Sequence, residues 1–111
     1  MKVPLSDVMD RFSILILKWI HGAEVRDELR AYAKECPITD PLFDLLRINY
    51  AIWQLESDIR KGKEGDLGLE EVGKRALAIR DLNRQRIETK NIVNTIAKTF
   101  PEIKVKHASE D

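Results

Sequence analysis

The chain has one cysteine, Cys36, in 111 residues. A lone cysteine excludes an intramolecular disulfide and a cysteine-rich zinc site, and leaves Cys36 as a small apolar residue near a helix end. Net charge is missing too: 19 basic and 19 acidic residues cancel. That argues against a general nucleic-acid or anionic-membrane binder, because such proteins work through a basic surface that displaces counterions. Long apolar runs are also absent. The strongest, residues 12–20, is interrupted by Ser13 and Lys18 and lies behind Asp7, Asp10 and Arg11. It falls well short of the roughly 20 apolar residues that a bilayer crossing needs, and it does not read as a signal peptide. The expected location is therefore the cytoplasm. There are no repeats or low-complexity tracts, and no Gly-rich phosphate loop, nucleophile elbow or metal-ligand histidine pair.

What is present is an ordinary globular composition, 43% hydrophobic and 34% charged. It predicts a single domain over residues 1–111, with an ordered core at about residues 4–100 and a loose tail at 101–111. Few glycines and prolines punctuate it. Residues 5–21 form the most apolar segment. On a helix, Leu5, Val8, Phe12, Leu15 and Trp19 share one face, Met9, Ile16 and Ile20 flank it, and Ile14 and Leu17 extend it round a third side. What remains is a narrow polar stripe of Asp7, Asp10, Lys18 and His21. A strand is rejected, because no other segment offers a partner. Ser6 is the expected N-cap, and Gly22 the left-handed residue after the helix.

A second helical pattern covers residues 23–36 and stops at Pro37. Asp40 followed by Pro41 signals the start of a third helix, to about residue 61. Residues 61–68 read as a loop. The fourth helix runs from 69 to about 100, where Pro101 ends it. At 1.5 Å per residue it spans roughly 45 Å, too long for a small monomeric bundle. It must bend or reach into a partner subunit, so the expected architecture is an all-α, four-helix bundle-like domain with a long C-terminal helix, as a homodimer.

Both long helices carry polar residues where apolar ones belong. The third has the seam Leu42, Leu45, Asn49, Ile52, Glu56, Ile59. The fourth has Leu69, Val72, Ala76, Ile79, Asn83, Arg86, Lys90, Val93, Ala97, Phe100. Burying an unpaired polar group costs about 1–3 kcal/mol, and a charge costs more, so these groups need each other or water. One expectation is a structural network that fixes helix register. The other is a ligand site in which Asp10, Lys18, Asn49, Glu56, Asn83 and Arg86 converge. Two amides, carboxylates and cations would suit a small anionic or polyhydroxyl ligand, with no cofactor required. An alternative is a magnesium-dependent all-α nucleoside triphosphate pyrophosphohydrolase, with Glu56, Asp58, Glu70, Glu71 and Asp81 as candidate ligands that let the metal bridge substrate phosphates. Trp19 and Trp53 fall at core spacing. His21 reads as a favourable end charge on its helix, His107 is isolated in the tail, and Lys61, Lys63, Lys74 and Arg75 read as a solvated basic face.

The segment Asp10-Arg-Phe-Ser-Ile-Leu-Ile-Leu-Lys18 resembles the D-[RK]-x-[ST]-I-L-x-x-K opening of a group of small, uncharacterised bacterial helical domains, some encoded beside glycosyltransferase and lipopolysaccharide genes. Asn49-Tyr-Ala-Ile-Trp53 with Glu56, Asp58 and Arg60 is similar to that group's N-x-x-L-W-x-x-E-D-x-x-R segment. Here Ser57 displaces the acid to Asp58, and Arg60 follows it one residue early. Asn83-Arg-Gln-Arg86 is similar to its N-x-x-R segment. The likeness covers roughly residues 4–100. It implies an all-helical domain with Asp10, Lys18, Asn49, Glu56, Asn83 and Arg86 as one constellation, and it implies no particular activity.

Overall fold

A computed structural model describes residues 3–62 and 68–99. Four helices account for nearly all of them: α1 (Leu5–Ile20), α2 (Arg26–Glu35), α3 (Asp40–Gly62) and α4 (Leu69–Thr99). The fold is all-α, and no strand occurs among the described residues. Of the expected loop 61–68, residues 61 and 62 end α3 and Gly68 precedes α4, while residues 63–67, the stop at Pro101, the loose tail 101–111 and His107 lie outside the described residues.

The most apolar helix takes the central place. α1 packs against α2, α3 and α4, whereas among the described residues α2 packs on no helix but α1. Leu5, Val8, Phe12 and Leu15 of α1 meet Tyr32 and Cys36 from the α2 side, Leu42 and Leu45 of α3, and Val93 and Ala97 of α4 in one core. Burial of such side chains contributes about 1.5–3 kcal/mol each, which makes α1 the main source of cohesion. Cys36 is buried at the end of α2, and burial pushes its thiol up to about 11. It is therefore an unreactive core residue, with little thiolate at neutral pH.

Helix starts differ in detail from the pattern-based reading. α1 begins one residue before Ser6, after Pro4, whose carbonyl accepts the N–H groups of Asp7 (3.0 Å) and Val8 (3.2 Å). Ser6 makes no cap. It lies inside the first turn, fully buried on the same face as the fully buried Ser13. Two such small side chains suit a helix face that a neighbour approaches closely. Asp40, where the Asp40-Pro41 signal places the start, is the first residue of α3. The carbonyl of Thr39 accepts from Leu42 (3.0 Å) and Phe43 (3.4 Å). α2 begins at Arg26, so residues 23–25 belong to the connection.

The end of α1 follows the glycine reading closely. Gly22 has φ +91°. Its N–H bonds Trp19 O at 3.0 Å and that of Ala23 bonds Lys18 O at 2.9 Å, the paired bonds of a Schellman motif. Trp19, expected in the core, is 49% exposed, and Ile20 is more so. At this end of α1 it is His21, not Trp19, whose ring stacks on Trp53. Leu17, from the third side, is buried instead. α4 runs unbroken for 31 residues. Of its expected seam, Val93 and Ala97 are buried, Val72, Ile79, Asn83, Arg86 and Lys90 are half-buried, and Leu69 and Ala76 are exposed.

Two glycines should respond in opposite directions. A Cβ on either Gly22 or Gly73 would meet nothing within 4 Å, so only backbone conformation matters. Gly22→Ala forces an L-residue into positive φ and should destabilise by about 1 kcal/mol. Gly73→Ala, in the interior of α4, should stabilise by about 0.5–1 kcal/mol. Urea denaturation of the two variants checks both signs.

Candidate functional site

The polar groups that interrupt the seams meet at one carboxylate. Asp10 is on α1, 5% exposed, and is approached from two other helices. From α3, Asn49 donates through Nδ2 to Asp10 Oδ1 (2.9 Å) and to Ser13 Oγ (2.8 Å). From α4, Arg86 donates through Nε to Asp10 Oδ1 (2.9 Å) and through Nη2 to Oδ2 (2.5 Å). The Ser13 hydroxyl donates to the Asp10 backbone carbonyl at 2.7 Å, which leaves its oxygen to accept from Asn49. Both protons of the Asn49 amide are thus satisfied, and the guanidinium grips the carboxylate side-on in the strongest geometry available to that pair.

The electrostatics follow from this geometry. Burial alone would raise the Asp10 pKa. The hydrogen bonds from Arg86 and Asn49, with the charges of Arg86 and Lys90, outweigh it and hold the carboxyl below its ordinary value. Arg86 is raised in turn, chiefly by its hydrogen bond to Asp10, against the opposing effect of burial. One turn earlier on α1, Asp7 receives Lys90 Nζ at 2.9 Å, a second tie to α4.

This cluster forms part of the wall of an open cleft of about 700 Å³ between α1, α2 and α4. The polar stripe of α1 lines it: Asp7, Asp10, Ile14 and Lys18, joined by Arg11. Arg86 lines it from α4, and Glu28 and Tyr32 from α2. Arg11 donates to the Tyr32 hydroxyl at 3.5 Å. Lys18 is exposed, and its ammonium has no ion-pair partner among the described residues. Arg86 uses Nε and Nη2 for Asp10, and its Nη1 makes no protein hydrogen bond among the described residues.

Of the six residues grouped from sequence, the structure brings Asp10, Asn49 and Arg86 into contact and puts Lys18 on the same cleft. Asn83 is half-buried on α4, one turn before Arg86, without a side-chain hydrogen bond among the described residues. Glu56 is not in the cluster. It is exposed and faces Arg60 Nη1 at 3.9 Å on its own helix, its charge reaching Arg86 only at long range. The seam register puts Glu56 two turns beyond Asn49, where no other helix brings a cation within ion-pair distance among the described residues. Ser13, Arg11, Glu28 and Tyr32 were not among the six grouped residues, although Arg11 and Ser13 are motif positions and Tyr32 falls on the inward face of the second helical pattern. Ser13 carried a signal, being a small polar residue one turn after Asp10 in an otherwise apolar run.

The carboxylates of the magnesium alternative are engaged by cations. Arg75 binds Asp58 (2.5 Å) and Glu71 (3.2 Å), joining α3 to α4, while Glu70 faces Lys74 and Asp81 faces Arg84. No group of three His, Cys, Asp or Glu side chains suited to a metal ion occurs among the described residues. His21 caps α1: its Nδ1 lies 2.7 Å from Leu17 O, so that nitrogen carries the proton, and its ring stacks on Trp53 at 4.3 Å. Compared with known protein families, curated proteins and solved structures, the chain gives no match.

The Asp10 cluster should set the acid limb of stability. Its folded-state pKa is depressed, so the unfolded chain binds more protons between that value and about 3.9, the unfolded value. The stabilisation is complete above the unfolded value and is lost as pH falls through the folded one. Asp10→Asn should cost about 2–4 kcal/mol at neutral pH, because it leaves Arg86 uncompensated, and should flatten this part of the profile. Lys90→Met, at a more exposed pair, should cost under about 1 kcal/mol. Denaturant melts from pH 7 down to about pH 3 measure both effects.

Proposed function

We propose that this protein is a small helical binding or assembly module whose cleft between α1, α2 and α4 takes a small ligand bearing an anionic group. The observation that carries the reading is Lys18. It lines the cleft with the Arg86–Asp10 pair, and its ammonium has no ion-pair partner among the described residues. A lysine needed only for the fold would be expected to find one of the nearby carboxylates. Arg86 adds an unengaged Nη1 from a guanidinium already fixed in place, the arrangement that favours planar oxyanions. The apolar lining of Ile14, Leu15 and Val3 fits a site that holds more than a bare ion.

The motif likeness gains support from the same geometry. Asp10, Asn49 and Arg86 come from the three separate segments that carry it, and they make direct hydrogen bonds. The proposal extends to a cytoplasmic homodimer. Self-association is supported by the 31-residue α4, whose early residues Leu69 and Leu77 are exposed large apolar side chains. No helix among the described residues is long and apolar enough to cross a membrane. No observation favours the hydrolase alternative, since its candidate carboxylates face arginine or lysine.

Titration of isotope-labelled protein with inorganic phosphate and with acetate tests the site. Amide shifts should concentrate in residues 10–18 of α1 and around Arg86. Lys18→Met should weaken binding about tenfold, or 1.4 kcal/mol, without lowering the melting temperature. Absence of cleft shifts up to about 10 mM of both anions would overturn the reading. Sedimentation equilibrium should separately give twice the 12.8 kDa chain mass. A monomer at micromolar concentration removes the dimer and leaves the cleft untouched.

A further inference from the structure

Two opposite charges face the cleft without meeting. Lys18 on α1 and Glu28 on α2 both line it, both are exposed, and neither forms an ion pair among the described residues. The other cleft charges are largely balanced within the protein: Arg86 by Asp10, and Asp7 by Lys90. Arg11 donates to the neutral Tyr32 hydroxyl, and the charges of Glu28 and Asp7 act on it without an ion pair among the described residues. The cleft therefore has a neutralised wall at Asp10–Arg86, an unpaired ammonium on the α1 side and, on the α2 side, a carboxylate that feels the Arg11 charge without forming an ion pair among the described residues. Ile14, between Asp10 and Lys18 on the same face of α1, gives it an apolar strip with Leu15 and Val3.

We infer that the ligand is a small zwitterion with an apolar body, of the amino acid and short peptide class, its carboxylate at Lys18 and Arg86 Nη1 and its ammonium at Glu28. The inference rests on the cleft being the binding site proposed above and adds the second charge. A simple anion would satisfy Lys18 and leave Glu28 facing it across the cleft at a repulsive cost. A zwitterion complements both charges, and its apolar body covers Ile14. The volume of about 700 Å³ lies within the roughly 300–1,000 Å³ typical of small-molecule sites, so a dipeptide fits the space better than a single amino acid.

The test compares L-leucyl-L-leucine with its methyl ester, which lacks the carboxylate, and its N-acetyl form, which lacks the ammonium. Free L-leucine serves as the single-residue arm. Amide shifts of the labelled chain should map the dipeptide to residues 10–18 and 28–32, with each blocked form bound at least about tenfold more weakly. Glu28→Gln should weaken the free dipeptide and leave the N-acetyl form unchanged, whereas Lys18→Met should weaken both. These positions are exposed, so the variants should keep the wild-type melting temperature. Equal binding of the dipeptide and its N-acetyl form overturns the zwitterion and leaves an anion site standing. So does an absence of dipeptide shifts when phosphate still shifts the cleft. If neither dipeptide nor phosphate shifts the cleft, both readings fall together.

Discussion

The fold turns on one buried carboxylate. Asp10 sits on the central helix among apolar neighbours, where an ionised group is tolerated only if its lone pairs are occupied and its charge is opposed. Arg86 and Asn49 do this from two other helices. A shift of α3 or α4 by one turn would move these donors by about 5.4 Å and strand the charge, so the apolar packing supplies cohesion and Asp10 selects the register.

The same interaction explains why there is a cleft at all. α1 is apolar over most of its circumference and buries those faces on α2, α3 and α4. Its remaining stripe, Asp7, Asp10, Ile14 and Lys18, is too polar to be closed over by a helix. α4 contributes Arg86 and Lys90 there in place of apolar side chains, and α2 is only ten residues long. α2 and α4 therefore both pack on α1 along this polar line but not on each other among the described residues. The gap between them is a consequence of sequence pattern, since Arg86 and Lys90 replace the apolar side chains that a closed seam would require.

Much of this is legible in the sequence. The number, order and approximate limits of the helices followed from apolar spacing and from Gly22, Pro37 and Pro41, because those signals act locally. The grouping of Asp10, Asn49 and Arg86 was readable because each violates an otherwise regular apolar seam, and such violations need partners. Glu56 broke the same rule yet lies outside the cluster. A seam register gives the face of a helix, whereas burial depends on what crosses that face, and at Glu56 no other helix brings a cationic partner among the described residues. Trp19 failed for the same reason, at the end of α1. Tyr32 was legible as an inward position of the second helix, but Glu28 carried no signal, since its role comes from how α2 folds back across α1 after the Gly22 turn. That angle is set by tertiary packing.

A network that fixes register and a site that binds a ligand are often treated as competing explanations for buried polar residues. In this molecule one supports the other. Two of the three Arg86 nitrogens are held by Asp10, and Asp10 is held in turn by Asn49, so the third nitrogen points from a side chain with little rotamer freedom left to lose. Ordering a free arginine on binding costs about 0.5–1.5 kcal/mol, a cost that is removed when folding has already fixed it. The residues with hydrogen bonds inside the cluster account for the fold. Lys18 and Glu28, which line the cleft beside that fixed guanidinium but take no part in those bonds, are the ones the fold leaves unexplained.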